Sequence, residues 1–453
     1  MKIIIQLGQL LLSLSILIIL HELGHFILAR VFKVRVEKFY LFFDPWFSIF
    51  KLKRGETEYG IGWLPLGGYV KISGMIDESM DKEQLKKPPQ PYEFRTKPAW
   101  QRLLIMLGGV MVNLILGFMI YSFILFIWGE KYLPNKSLTD GIWVTDSIMY
   151  ETGLQTGDKI ISVNGVEPDY YREVLEEMFY GGEMLIERNG KDTALIIAID
   201  FPGKISDYRI HNKGPLILER QPYIISKVPD TSINADFFKS KDQVIAINEI
   251  PIKYYDQAEG LQKKYSGSRI KVTVIRNSEE ISDSVLISDK GKFEVEWGYL
   301  TYEQLEKLGY YKLARHEYSF LQSIPAGFKK AKDNISSYLR QFKLIFDFKT
   351  GAYKGLGGFG AIGGLFPPVW DWQTFWEITA FLSLMLAVLN LLPIPALDGG
   401  HVTFLMFEMI TGRKPGDKFL EYAQIAGMIL LLFLLIYANG NDLYRWILRL
   451  IAK

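Results

Sequence analysis

The residues whose types and spacing can do chemistry lie near the start of the chain, in His21-Glu22-Leu23-Gly24-His25. On a helix, His21 and His25 stand one turn apart on the same face. That is the spacing of two ligands to a single zinc ion, and Glu22 beside them has the position of a metalloprotease general base. The pattern is short and arises by chance in soluble helices, so its setting decides. Here the flanks are apolar: Ile3 to Leu20 carries only Gln6, Gln9, Ser13 and Ser15 as polar residues, and Phe26-Ile27-Leu28-Ala29 resumes the run. Ionisable side chains at membrane depth cost at least a few kcal/mol each, which favours their retention for a site over retention for stability.

Composition narrows the donors available to complete such a site. The 453 residues include no cysteine and five histidines, His21, His25, His211, His316 and His401. Thiolate ligands, disulfides and cysteine nucleophiles are thereby excluded together. The best-placed third ligand is Asp398, in Asn390-Leu391-Leu392-Pro393-Ile394-Pro395-Ala396-Leu397-Asp398-Gly399-Gly400-His401. Two prolines break a helix there and leave one carboxylate among apolar residues. Non-helical backbone at membrane depth is tolerated where it lines a cavity or a watered site. Asp398 would leave a fourth zinc position for water. His401 is the rival ligand, although a histidine beside a Gly-Gly turn is more often a supporting or capping group. His211 and His316 read as surface residues.

The elements that must position these residues are membrane helices. A span needs about 20 mainly apolar residues, and four stretches qualify: Ile4 to Phe32, Trp100 to Trp128, Phe375 to Pro393, and Ala423 to Ile436 continuing towards Ile447. Asn439-Gly440-Asn441-Asp442 is expected to interrupt the fourth. The apolar start also resembles a secretory signal, but no small-x-small cleavage site follows, so the first span is expected to be retained. Lys33 to Pro98 is rich in Lys and Arg, which places that loop in the cytoplasm and the N-terminus outside. The loop with Arg413, Lys414 and Lys418 falls on the same side, and Gly129 to Asp371 falls outside the cytoplasm. His25 lies about eight residues from Lys33, roughly 12 Å along a helix, so the pentad belongs near the cytoplasmic face.

A hydrophobic share of 49% with a mean hydropathy of +0.09 implies a mixture of membrane and soluble parts. The length allows two to four units at roughly 150 residues each. A net charge of +2 gives no reason to expect a nucleic-acid partner. In the first loop, Phe39 to Phe43 and Tyr59 to Ile72 alternate aromatic and β-branched residues with turn-type Gly and Pro, as strands and hairpins do. A free strand edge beside a protease site can pair with an extended peptide; an interfacial sheet anchored by aromatics is the plainer alternative. Asp77 to Pro98 reads as a mobile connector. Further on, Gly157-Asp158-Lys159-Ile160-Ile161-Ser162-Val163-Asn164-Gly165-Val166 is echoed by Ser240-Lys241-Asp242-Gln243-Val244-Ile245-Ala246-Ile247-Asn248-Glu249-Ile250, which indicates two small β-rich domains of similar fold. Ser319 to Lys349 has the pattern of a basic amphipathic helix lying on the membrane surface, and Gly355 to Gly364 that of a flexible stretch.

These motifs, in this order, resemble the site-2 protease family of intramembrane zinc metalloproteases, in its bacterial RseP-like (regulator of sigma-E protease) branch. The likeness rests on His21-Glu22-Leu23-Gly24-His25, Pro65-Leu66-Gly67-Gly68-Tyr69-Val70-Lys71, the tandem repeat, and the Asn390 to Gly400 motif. It implies zinc held by His21, His25 and Asp398, with Glu22 catalytic. The family's second span carries GPxxN, which here is Gly109-Val110-Met111-Val112-Asn113, with Val in place of Pro. Asn113, Asn390, Gly67, Gly68 and Tyr69 are the expected substrate-positioning residues. The implied fold is a polytopic α-helical membrane protein with four transmembrane helices, a membrane-associated β-hairpin region and two tandem PDZ-like α+β domains. The second copy lacks the paired glycines of the first, so filtering substrates by size fits it better than capturing a peptide carboxylate.

The expected divisions are 1–32 (first span), 33–98 (hairpin loop), 99–128 (second span), 129–218 and 219–300 (PDZ-like), 301–371 (connector), 372–410 (third transmembrane segment), 411–422 (cytoplasmic loop) and 423–453 (fourth span and C-terminus). The resemblance further implies cleavage of single-pass membrane proteins, such as a pre-trimmed anti-sigma factor or remnant signal peptides, in the cytoplasmic membrane of a bacterium. The partners are then those substrates and the lipid bilayer. Two other classes remain open. A non-catalytic PDZ adaptor would have no reason to keep His21, Glu22, His25 and Asp398 together, and a zinc transporter would carry more intramembrane carboxylates.

Overall fold

The structure, a computed structural model, describes residues 2–65, 67–75, 88–171, 173–212 and 214–451. The chain divides into two compact units. One holds the chain up to Glu130 with Glu317–Phe346 and Tyr353–Lys453; the other holds Lys131–His316 and Asp347–Ala352.

In the first unit, four helices among the described residues are long and apolar enough to cross a membrane. They are Lys2–Val31, Ala99–Trp128, Trp372–Asn390 and Asp417–Ile451, called here the first to fourth spans. The first ends where Lys33 turns into left-handed backbone (φ 56°) and the Val34 amide closes on the Ala29 carbonyl at 2.8 Å. The first and second spans meet backbone to backbone at Gly24 and Gly108. A Cβ on Gly108 would lie 2.6 Å from the Gly24 carbonyl oxygen. Small residues allow such close approach, and with no hydrophobic drive between helices in lipid it is packing of this kind that holds spans together.

The third span is capped by Asp371, whose carboxylate accepts from the Thr374 amide at 2.7 Å. It stops at Asn390, because Pro393 and Pro395 deny the next turn its backbone donors. A short loop follows, with Ala396 at φ 80°, and a new helix, Asp398–Thr411, starts at the aspartate itself. The break that the two prolines lead one to expect within 372–410 thus separates two helices, with the Pro-rich loop between them. Gly399 and Gly400 let that loop fold against the new helix: a Cβ on Gly400 would stand 2.6 Å from the Ile394 carbonyl oxygen.

Three expectations are corrected here. The fourth span is continuous through Asn439-Gly440-Asn441-Asp442. These side chains do not break it; they satisfy the backbone of the glycine-rich stretch, which is thereby pinned. Asp442 accepts from the amides of Gly358 and Ala361, both at 3.0 Å, and Asn439 accepts from that of Phe359 at 3.2 Å. The basic helix Phe320–Phe346 does not simply lie on a surface. Its small residues Ser323, Gly327 and Ala331, four apart, are buried, and a Cβ on Gly327 would stand 2.5 Å from the Ser122 amide of the second span. Phe320 packs on Phe126 and Phe328 on Phe118, so the two helices run antiparallel. The loop expected over 411–422 is shorter, since the fourth span already begins at Asp417.

Between the first two spans lies a four-stranded sheet of β1 (Val36–Leu41), β2 (Phe43–Arg54), β3 (Thr57–Leu64) and β4 (Tyr69–Ile72), in the order β2-β3-β1-β4. β2 and β3 form the hairpin, β1 lies parallel to β3, and β4 pairs antiparallel to β1 with Tyr69 opposite Tyr40. The β2 edge exposes Trp46, Phe47, Ile49 and Phe50. Of the expected connector, 77–87 lie outside the described residues. Its remainder is tied to the sheet by Arg35, whose amide donates to Tyr92, and by Phe94, whose amide donates to Ser73.

The second unit contains two cores, one on each copy of the sequence repeat. In each copy the repeated aspartate is buried and gripped by an arginine from a later strand. Arg188 forks Asp158 at 2.7 Å through two nitrogens and also donates to the Gly153 carbonyl. Arg276 forks Asp242 at 2.8 and 2.7 Å and donates to Phe237. A buried carboxylate persists only when paired in this way. The repeated Asn164 and Asn248 both take left-handed backbone, at φ 53° and 48°, where each strand turns back.

The Gly24–Gly108 contact gives a direct test. Replacing Gly24 with Val forces the first two spans apart at the level of the pentad. The melting temperature of the purified protein in detergent should fall by several degrees, whereas Gly8→Val, on the same helix with open space around it, should leave it unchanged.

Candidate metal centre

The first span carries His21 and His25 on one buried face, and the Asp398 carboxylate approaches them from the start of its helix. Their ligand atoms form a near-equilateral triangle. His21 Nε2 to His25 Nε2, His21 Nε2 to Asp398 Oδ2, and His25 Nε2 to Asp398 Oδ2 are each 3.3 Å. Among the described residues this is the group of His, Asp and Glu side chains gathered closely enough to hold a metal. A tetrahedral zinc with bonds of about 2.0–2.1 Å separates its ligand atoms by about 3.3–3.4 Å. Asp398 Oδ2 is moreover buried without a hydrogen-bond partner, as a metal-facing oxygen is. The donor set, its spacing and the orphaned oxygen all fit zinc.

The second span backs both imidazoles. The Ile105 carbonyl lies 2.8 Å from His25 Nδ1 and so takes that proton, leaving Nε2 with its lone pair towards the centre. Asn113, fully buried, places its amide 3.1 Å from His21 Nδ1. Gly109 provides the room: a Cβ there would stand 2.5 Å from His25 Nε2 and 2.7 Å from His21 Nε2. Ser383 of the third span donates to the Asn113 carbonyl at 2.8 Å and so fixes this part of the second span.

A cavity of about 640 Å³ opens onto the triangle, lined by Glu22, Gly67, Gly68, Tyr69, Asn390 and Asp398 among others. β4, an edge strand, faces it, and the Val70 amide donates to the Glu22 carboxylate. Gly68 lets the strand approach, since a Cβ there would lie 2.5 Å from Ile18 Cγ2 and 3.4 Å from Glu22 Cγ. Asn390, at the end of the third span, points its amide to within 3.2 Å of His21 Nε2. Tyr69 stacks on Tyr40 and donates its hydroxyl to Asp44 at 2.9 Å. Burial and that carboxylate push its pKa up, so it stays a neutral phenol.

Of the expected site residues, the structure thus gathers His21, His25, Asp398, Glu22, Asn390, Gly67, Gly68 and Tyr69 around one cavity. Asn113 is not among the cavity-lining residues and faces His21 from behind. His401 lines the cavity but is outside the ligand triangle. Gln424 was not expected. It lines the same cavity from the fourth span and holds the Pro-rich loop by accepting from the Ala396 amide at 3.2 Å; its signal is one amide within an apolar helix. The Ile105 carbonyl, being backbone, has no signal at all.

Comparison with known proteins agrees with this geometry. Residues 9–434 match peptidase family M50. The chain is 26% identical over 466 residues to the regulator of sigma-E protease RseP of Escherichia coli, covering 97% of this chain and 98% of that protein. It is 24% identical to the regulator of sigma E protease of Haemophilus influenzae, with 97% and 99% covered. It is 27% identical to a Campylobacter jejuni protein named, provisionally, as a zinc metalloprotease, with 96% and 92% covered. Motifs, ligand geometry and a match across nearly the whole length converge on one statement: the chain belongs to peptidase family M50, the zinc-dependent site-2 type proteases of membranes.

Proposed function

We propose that the protein is an intramembrane endopeptidase in which His21, His25 and Asp398 hold zinc, Glu22 is the general base, and the substrates are single-pass membrane proteins. The observation that carries this is the 3.3 Å triangle of ligand atoms with Glu22 beside it, opening onto a cavity walled by a strand edge. Zinc held there supplies Lewis-acid polarisation of a carbonyl and lowers the pKa of water towards about 7. Glu22 takes the proton of the attacking water and returns it to the leaving nitrogen. Asn390, whose amide reaches into the cavity, donates to the oxygen on which charge develops.

A helical substrate hides its carbonyls in its own hydrogen bonds, so it must be extended before attack. Among the described residues no strand pairs with the outer edge of β4, and that edge offers backbone groups for this purpose. It lies beside Glu22, so a strand added to it brings its peptide bond to the base. The exposed aromatic edge of β2 suits a hairpin dipping into the membrane. The distribution of Lys and Arg supports an orientation with the N-terminus and both repeat domains outside the cytoplasm, four apolar helices support four spans, and the bacterial relatives support an inner-membrane location. The two repeat domains read as PDZ-like filters that admit only substrates with trimmed outer parts. Relatives named for regulation of sigma-E suggest an anti-sigma factor already cut once, and remnant signal peptides share the same chemistry.

Three variants test this reading. Glu22→Gln should keep stoichiometric zinc and lose cleavage of a model transmembrane substrate by at least a hundredfold; cleavage at the parental rate sinks the mechanism. His21→Ala should lose the metal, whereas a non-catalytic adaptor would show no stoichiometric zinc to lose. Gly68→Val should lower cleavage at least tenfold with zinc content unchanged, because it displaces β4 from Glu22 without touching a ligand; parental activity would remove the strand edge from the mechanism.

A further inference from the structure

The geometry points to a positioning role for Asn113: its side-chain oxygen accepts the Nδ1 proton of His21 and thereby holds the imidazole with Nε2 bare towards zinc. The inference rests on the reading that His21, His25 and Asp398 form the zinc site. His21 Nε2 is the nitrogen that faces the other two ligand atoms, at 3.3 Å from each. A neutral imidazole that offers Nε2 to a metal carries its proton on Nδ1, which is then a donor. The amide nitrogen of Asn113 sits 3.1 Å from that Nδ1 while its Oδ1 is buried without a partner. Donor therefore faces donor, and an acceptor lies idle one atom away.

Amide oxygen and nitrogen occupy nearly the same shape, and only the hydrogen-bond network tells them apart. Exchanging them turns the contact into N–H···O and gives the idle oxygen its proton. The opposite orientation, with the amide nitrogen donating to Nδ1, requires the proton on Nε2, where it would point into the ligand triangle and exclude a metal. The orientation of one buried amide is thus tied to the competence of the centre for zinc.

The surroundings support a fixed role. Asn113 is fully buried, its backbone carbonyl is held by Ser383 from the third span, and it does not line the cavity. His25 has the matching arrangement through the Ile105 carbonyl at 2.8 Å, so the second span supplies an acceptor behind each imidazole. Gly109, one turn before Asn113, clears the space in which both rings stand. Gly109 and Asn113 therefore form one device: the glycine admits the ligands and the asparagine orients one of them. Loss of such a partner weakens metal binding by about 10–100-fold in other zinc sites.

Zinc affinity of the full-length protein in detergent, measured by competition with a chromophoric chelator, tests this apart from activity. Asn113→Leu should weaken zinc about 10–100-fold, while Asn113→Asp, which keeps an acceptor oxygen, should stay within about threefold of the parent. The melting temperature of the zinc-free Asn113→Leu protein should match that of the zinc-free parent, which a merely structural role would not permit. Parental affinity in Asn113→Leu overturns the inference, as does equal loss in the leucine and aspartate variants. His21→Ala is the control on the underlying reading. If it retains zinc, the ligand set itself is wrong; if it loses zinc while Asn113→Leu does not, only the role of Asn113 fails.

Discussion

The constraint on which this structure depends is the contact of two helix backbones at Gly24 and Gly108. Three ligand atoms must meet within 3.3 Å of one another inside a membrane protein, and imidazoles on the first span can be supported from behind only if the second span comes within reach. A methyl group at Gly24, Gly108 or Gly109 would occupy space now taken by backbone or by the imidazoles. Because these positions are bare, the Ile105 carbonyl and the Asn113 amide come close enough to fix both rings. The approach of the two imidazoles to Asp398 is thus conditional on the smallness of residues in the second span.

The carboxylate of the triangle is delivered by a different device. Asp398 opens a helix directly after a loop that two prolines keep from being helical. That loop is held in place by its own glycine contacts and, from the fourth span, by Gln424 and by Gly427, which packs against Pro395. A carboxylate in the first turn of a helix is favoured by the local backbone dipoles, and here the same carboxylate faces the imidazoles. The fourth span is mostly exposed, with Ile429, Phe433 and Ile436 open to its surroundings. It is tied at one end to the Pro-rich loop and at the other to the glycine stretch through Asn439 and Asp442. Both ties are polar or backbone contacts, which in lipid persist because their groups have no water to turn to.

The gathering of His21, His25 and Asp398 was legible in the sequence because it is written in rare residues. With five histidines and no cysteine in 453 residues, His21, His25 and Asp398 had few competitors, and the apolar setting of each removed most of what remained. The strands of the first loop and the tandem repeat were legible too, since alternation and self-similarity survive without knowledge of contacts. Less legible was what depends on partners distant in sequence. Asn439 to Asp442 looks like a break in a span until the glycine loop it satisfies is in place. The basic helix looks like a surface helix until its row of Ser323, Gly327 and Ala331 is seen to fit the second span.

Asn113 illustrates the same limit at the site itself. A motif read from sequence says that glycine and asparagine stand one turn apart in a span; it does not say which way the asparagine faces. Towards the cavity it would touch substrate, and towards His21 it acts on the metal through a ligand. The structure turns it to His21, buries it completely and leaves its oxygen without a partner. Exchanging the two atoms leaves the amide N–H groups where the oxygen stood, so one unpaired group replaces another. What the exchange gains is an N–H···O bond where two donors would otherwise face each other, and that bond is the one that would ready the imidazole for zinc.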